Sequence, residues 1–194
     1  MYPNISTLKN YLSLIKFSHT IFAMPFAMVG FTLGSVQNST GLNIAALTFV
    51  VLCMVFARSA AMAFNRWLDR DIDAKNPRTV IREIPSGLIK ANYALWFVVL
   101  NSILFIISTW FINLICFVLS PVALLVILGY SYTKRFTAFC HLVLGLGLAL
   151  APVGAFLAVT GYFDVIPVLF GLSVLFWVAG FDIIYALQDE EFDK

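Results

Sequence analysis

Charge is scarce in this chain. Only 11% of its 194 residues are Asp, Glu, Lys or Arg, against 61% hydrophobic, where a soluble domain carries about 25% charge. That shortage excludes an ordinary water-soluble globule. With a mean hydropathy of +0.95, it indicates an integral membrane protein. The net charge of +2 gives no reason to expect a nucleic-acid partner. Cysteine occurs three times, at Cys53, Cys116 and Cys140. These are widely separated in apolar surroundings and match neither a disulfide framework nor a thiolate metal site, so they read as small buried hydrophobes. The opening MYPNISTLKNYLSLIKFSH has no compact apolar run ending at a small-residue cleavage site and does not read as a signal peptide.

What the chain does have is long apolar runs. A helix crossing the hydrocarbon needs about 20 mostly apolar residues. Six stretches qualify: Ser18–Val36, Leu42–Phe64, Tyr93–Thr109, Ile112–Tyr132, His141–Thr160 and Val165–Leu187. The uncharged run from Tyr93 to Thr133 is too long for one crossing and is expected to fold back near Trp110 and Asn113. Unalternating runs of this length exclude a β-barrel, so the fold expected is an all-α membrane bundle. With six spans, the basic residues Lys9, Lys16, Arg66, Arg70, Lys75, Arg78, Arg82, Lys90, Lys134, Arg135 and Lys194 fall on one side. The connections opposite hold Asp164 alone. The positive-inside rule places the basic side in the cytoplasm. Arg58 lies within the second span.

The charge is also clustered. Nine of the 22 Lys, Arg, Asp and Glu residues lie between Arg66 and Glu83. A solvated loop accounts for Arg70, Asp71, Lys75, Glu83 and Lys90. It does not account for Asn65, Asp69 and Asp73, which recur every four residues and would share one face if the second helix continues past Phe64. Asp182, Tyr185, Asp189 and Asp193 form a second such set, leaving the last span on the same side. Oxygen donors without His or Cys suit a hard cation such as Mg2+, which is usually shared with substrate phosphates. The bases Arg58, Arg66, Arg78, Arg82, Lys134 and Arg135 suit a phosphate-bearing substrate whose remainder is lipid. Arg58 and Asp182 are costly within a membrane, so function is the default reading for them, a plain structural pair between the two being the alternative.

The segment RSAAMAFNRWLDRDIDAKNPRT resembles the first motif, NxxxDxxxD, of the UbiA-type membrane prenyltransferases. DIIYALQDEEFD resembles their second, DxxYxxxDxxxD. IREIPSG and YSYTKRFT resemble two further family segments between them. The resemblance implies an intramembrane, Mg2+-dependent transferase that moves a polyprenyl chain from its diphosphate to an aromatic ring. Carried over by position, it implies that Asn65, Asp69, Asp73, Asp189 and Asp193 bind metal. Asp182 and Tyr185 would face the acceptor or the allylic cation. Arg58, Lys134 and Arg135, with Arg78 and Arg82 behind them, would meet diphosphate or an acceptor carboxylate. Phe22, Phe26, Phe64, Trp67, Phe176 and Trp177 are candidates for facing the cation, beside the ordinary reading of lipid-facing or packing residues. His19 is read either as a contact to the acceptor acid or as an interfacial side chain.

Family members usually have about nine spans, so the resemblance implies that residues 1–194 form the N-terminal two-thirds of a single prenyltransferase domain, six helices here with about three C-terminal ones absent. SHTIFAMPFA and AFNR are similar to a bacterial subgroup resembling 4-hydroxybenzoate polyprenyltransferases. Arg66 stands where many ubiquinone-pathway members carry Asp. The acceptor implied is an aromatic carboxylate in quinone biosynthesis, 4-hydroxybenzoate or a dihydroxynaphthoate of the futalosine menaquinone route, and the location a bacterial inner membrane. The rival classes are a cation-binding transporter fragment, disfavoured because the carboxylates lie at one face rather than the midplane, and a non-catalytic membrane subunit.

Overall fold

The computed structural model describes residues 5–39 and 41–187, with the backbone alone for 5–8 and 17–20. All regular structure among them is helical: α1 (Ile5–Leu14), α2 (Phe17–Gln37), α3 (Ile44–Leu68), α4 (Arg70–Asp73), α5 (Ala91–Trp110), α6 (Leu114–Thr133), α7 (Cys140–Thr160) and α8 (Val165–Ala186). Helices α3, α5, α6, α7 and α8 are each long and apolar enough to cross a membrane, and α2 carries a shorter apolar stretch over Ile21–Gln37. These six are the expected spans. The connections at one end are short and capped by side chains. Asn43, Asn113 and Asp164 accept from the backbone N–H groups of Ala46, Cys116 and Ile166, which fixes the starts of α3, α6 and α8. The Ile166 N–H, together with Gln37, holds the Asp164 carboxyl below the usual carboxylate range. All three cysteines are free.

Helix α7 packs between α2 and α8, α3 packs on α5, and α6 joins the two groups. In lipid, helices gain little from hiding apolar surface from one another and associate by close backbone approach at small residues. Two crossings here depend on glycine. A Cβ on Gly30 of α2 would lie 1.9 Å from the Pro152 carbonyl oxygen of α7. One on Gly145 of α7 would lie 2.3 Å from the Leu175 carbonyl oxygen of α8.

Two short helices were not among the expected elements. In α1 the periodicity is too brief to read as a span, and its end is pinned because Leu14 is fully buried against Ala60, Ala63, Ile84, Ile89, Ala94 and Val98. The Tyr11 and Phe97 rings meet at 5.1 Å. The second, α4, follows a break in α3. The second span does continue past Phe64, but only to Leu68, and Asp69 caps it. The Asp69 and Asp73 N–H groups still reach the carbonyls of Asn65 and Asp69, at 3.0 and 2.8 Å. The four-residue spacing therefore survives as a kinked face rather than one straight helix. Residues 74–90 are a folded connection: Ile84 and Ile89 enter the core, and Gly87 supplies the positive φ of 78° that its turn needs.

Gly30→Val and Gly145→Leu are expected to lower stability by about 1–3 kcal/mol each through overpacking. Gly154→Ala, where nothing lies within 4 Å, is expected to cost nothing. Thermal unfolding in detergent checks the contrast.

Candidate active site

Chain reversal brings the end of α3, α4, the 74–90 connection, the end of α6 and the start of α7 to one end of the bundle, where the bases collect. Asp69 and Asp73 are 4% and 5% exposed, so neither keeps a hydration shell and each needs a counter-charge. Asp69 receives Lys134 Nζ through Oδ2 and Arg135 Nη2 through Oδ1, the latter at 3.5 Å. Arg135 also donates to the Leu68 carbonyl at 2.7 Å. Arg82 Nη1 lies 2.7 and 2.8 Å from the two Asp73 oxygens. The Thr79 hydroxyl ties the connection to the Asp73 carbonyl at 3.0 Å. Asn65 Nδ2 reaches Ser131 Oγ on α6 at 3.5 Å.

Arg66 has a partner within the chain. It is 5% exposed and paired with Glu83, which also accepts from the Ser13 hydroxyl. Glu83 had read as a solvated loop residue and is instead 7% exposed. The 74–90 connection folds under α1, so its carboxylate becomes the counter-ion of a buried guanidinium. Arg70, Asp71, Lys75 and Lys90 do lie toward solvent, and Arg70 rests over the Trp67 ring at 5.0 Å. Lys16, not singled out in the sequence, adds to the positive cluster. Burial pulls its ammonium below the usual lysine range, with Arg66, Arg82 and Arg78 acting the same way and Glu83 opposing. The Arg78 backbone N–H bonds Asn76 Oδ1 at 2.9 Å.

Asp182 does not pair with Arg58. Its Oδ2 meets His141 Nδ1 at 2.8 Å. From the sequence His141 reads only as the start of a span, although its place six residues after Arg135, at the basic mouth, is a signal. Arg58 keeps a buried Nε with no hydrogen-bond partner among the described residues. Tyr185 is exposed, and its ring meets that of Phe181 at 4.6 Å in a tilted arrangement. Asp189 and Asp193 lie outside the described residues, as does the His19 side chain. The candidate aromatic residues form two groups. Phe22, Phe26 and Trp177 join α2 to α8 with ring centroids 5.7–6.1 Å apart, and Phe64 stacks on Trp67 at 5.8 Å. Phe176 is exposed and in neither group. The surface recess beside Asn43, Phe111 and Gly161, about 370 Å³, lies at the opposite end.

Among the described residues no three His, Cys, Asp or Glu side chains group closely enough to hold a metal ion. The donors that Asn65, Asp69 and Asp73 offer are nonetheless all oxygen and fit a hard divalent cation in kind.

Residues 23–194 match the family model described as the UbiA prenyltransferase family. The chain is similar to a 4-hydroxybenzoate octaprenyltransferase of Francisella tularensis subsp. novicida (strain U112), 32% identical over 151 residues, which cover 78% of this chain and 53% of that protein. A protein of the same name from Nitrosomonas eutropha (strain DSM 101675 / C91 / Nm57) is 36% identical over 143 residues, covering 74% and 50%. Among solved structures, the apo form of a UbiA homolog from Aeropyrum pernix K1 superposes with a TM-score of 0.81 at 34% identity, covering 91% of this chain and 66% of that one. A UbiA homolog from Archaeoglobus fulgidus, bound to DMAPP and Mg2+, shares the fold with a TM-score of 0.76 at 24% identity, covering 95% and 65%. The chain thus spans about half the length of the curated relatives it matches.

Glu83→Gln is expected to destabilise the protein by about 3 kcal/mol, because it leaves Arg66 buried without a counter-charge. Glu83→Gln combined with Arg66→Gln is expected to recover part of that loss. A double-mutant cycle followed by chemical unfolding in detergent measures the coupling.

Proposed function

The chain belongs to the UbiA prenyltransferase family, and from that premise we propose that it transfers a polyprenyl group from its diphosphate to an aromatic carboxylate such as 4-hydroxybenzoate, in quinone biosynthesis. One observation carries the reading: two buried carboxylates, Asp69 and Asp73, meet Lys134, Arg135 and Arg82 at one end of a lipid-soluble bundle. An anion and a cation arriving together suit such a site. Lys134, Arg135 and Arg82 would turn to diphosphate oxygens while the carboxylates turn to the cation, and no buried charge would be left alone. Asn65, Asp69 and Asp73, with Asp189 and Asp193, would hold Mg2+. When bound, it would supply positive charge against the departing diphosphate. The names of the bacterial relatives support the acceptor class.

The bundle supplies the rest. An allylic cation must be kept from water, and apolar helices exclude it. The Phe22–Phe26–Trp177 group offers ring faces to a cation lying between α2 and α8. Arg58, with its unpartnered Nε, would take the acceptor carboxylate. Arg66 is spoken for by Glu83 and would support the site from behind. The basic end would face the cytoplasm of a bacterial inner membrane.

Membranes carrying the protein, given Mg2+, a prenyl diphosphate, 4-hydroxybenzoate and 1,4-dihydroxy-6-naphthoate, are expected to yield a prenylated ring detectable by mass spectrometry. Asp69→Ala and Asp73→Ala are each expected to reduce product at least about 100-fold, and chelation of Mg2+ to abolish it. Folded protein that releases no diphosphate and prenylates neither acid would overturn the reading.

A further inference from the structure

The clamp at Asp69 and Asp73 leaves one ionisable pair without a task. His141 is the second residue of α7, and its Nδ1 lies 2.8 Å from Asp182 Oδ2 on α8. The two side chains are 23% and 27% exposed, so the pair is neither sealed in the core nor fully solvated. A carboxylate bound to one imidazole nitrogen fixes the ring's orientation and stabilises the imidazolium that forms when the other nitrogen accepts a proton. With Nδ1 held by Asp182, Nε2 is the remaining basic atom.

The surroundings connect this pair to the clamp. Tyr130 on α6 is within electrostatic reach of Asp182, Asp69 and Arg58. Arg58 is in turn within electrostatic reach of Tyr130 and holds a buried Nε–H that nothing among the described residues satisfies. A buried donor of that kind is costly unless a ligand completes it. An anionic group seated on Arg58 would bring a small acceptor toward Tyr130, on the side of the bundle that carries Asp69 and Asp182.

We propose that His141 is the proton acceptor of the transfer step, with Asp182 as its positioning residue. The proposal rests on the transferase reading above. Prenylating an aromatic carbon releases a proton, and His141 is placed to take it. The donor's C–O bond breaks and its electron pair leaves with the diphosphate. A ring π pair forms the new C–C bond. The C–H bond at that carbon then breaks, its electron pair restores aromaticity, and its proton passes to His141 Nε2 and from there to solvent.

The test uses full-length protein in membranes and 4-hydroxybenzoate carrying hydrogen or deuterium at the ring positions next to the hydroxyl. Product formation, diphosphate release and the binding of a prenyl thiodiphosphate with Mg2+ are measured for wild type, His141→Gln and Asp182→Asn. Gln keeps a donor toward Asp182. The expected result is a fall in product of about 100-fold for His141→Gln, with unchanged binding of the thiodiphosphate. A primary deuterium isotope effect should appear in that variant, because loss of the ring proton has become slow, and be small in wild type. Asp182→Asn is expected to change rate and isotope effect in the same direction but less. Equal rates for wild type and His141→Gln would overturn the proposal. So would lost product accompanied by lost thiodiphosphate binding and no isotope effect, the signature of a helix tie alone. Folded wild-type protein that releases no diphosphate and makes no product would instead sink the transferase reading, and this proposal with it.

Discussion

Asp69, Asp73 and Glu83 are buried at one end of an apolar bundle, and each is neutralised by a base from elsewhere in the chain. Lys134 and Arg135 come from the end of α6, Arg82 from the 74–90 connection, and Arg66 from α3 itself. An uncompensated charge in such a place costs several kcal/mol. The pairs therefore determine how α3, α6 and the connection sit against one another. They also make the end of the bundle exchangeable. Charges held by partners of opposite sign can be handed to a ligand carrying both signs, which is what a metal-bound diphosphate offers.

The rest of the bundle serves that end. The close crossings at Gly30 and Gly145 lock α2, α7 and α8 into one body, and the same crossings place Trp177 beside Phe22 and Phe26. The caps at Asn43, Asn113 and Asp164 fix the far ends of α3, α6 and α8. Polar chemistry is thus confined to one end and rigidity supplied by the other, an arrangement suited to holding a reactive cation away from water.

Much of this was legible in the amino-acid sequence, for identifiable reasons. The spans follow from apolar runs of about 20 residues, and the hairpin near Trp110 and Asn113 from a run too long to cross once. The carboxylate spacing at Asn65, Asp69 and Asp73 could be read because local helical geometry carries it, even through the kink at Asp69. Partners distant in the chain were another matter. Nothing local pairs Glu83 with Arg66, or His141 with Asp182. Those contacts exist because the connection folds under α1 and because α7 packs on α8. The partner of Arg66, a candidate for contact with substrate, was accordingly not legible. Arg58 was weighed as a partner for Asp182, yet its Nε is left unpaired. The second carboxylate set is seen only at Asp182 and Tyr185, since Asp189 and Asp193 lie outside the described residues.

The central claim is that the bases now on Asp69 are held in trust for a diphosphate. A structure of the protein with a prenyl thiodiphosphate and Mg2+ tests it most directly, through the position of Lys134. The account predicts that Lys134 Nζ leaves Asp69 for a phosphate oxygen while Arg66 stays on Glu83. A bound thiodiphosphate lying away from Lys134 and Arg135, with Lys134 still paired to Asp69, would contradict it.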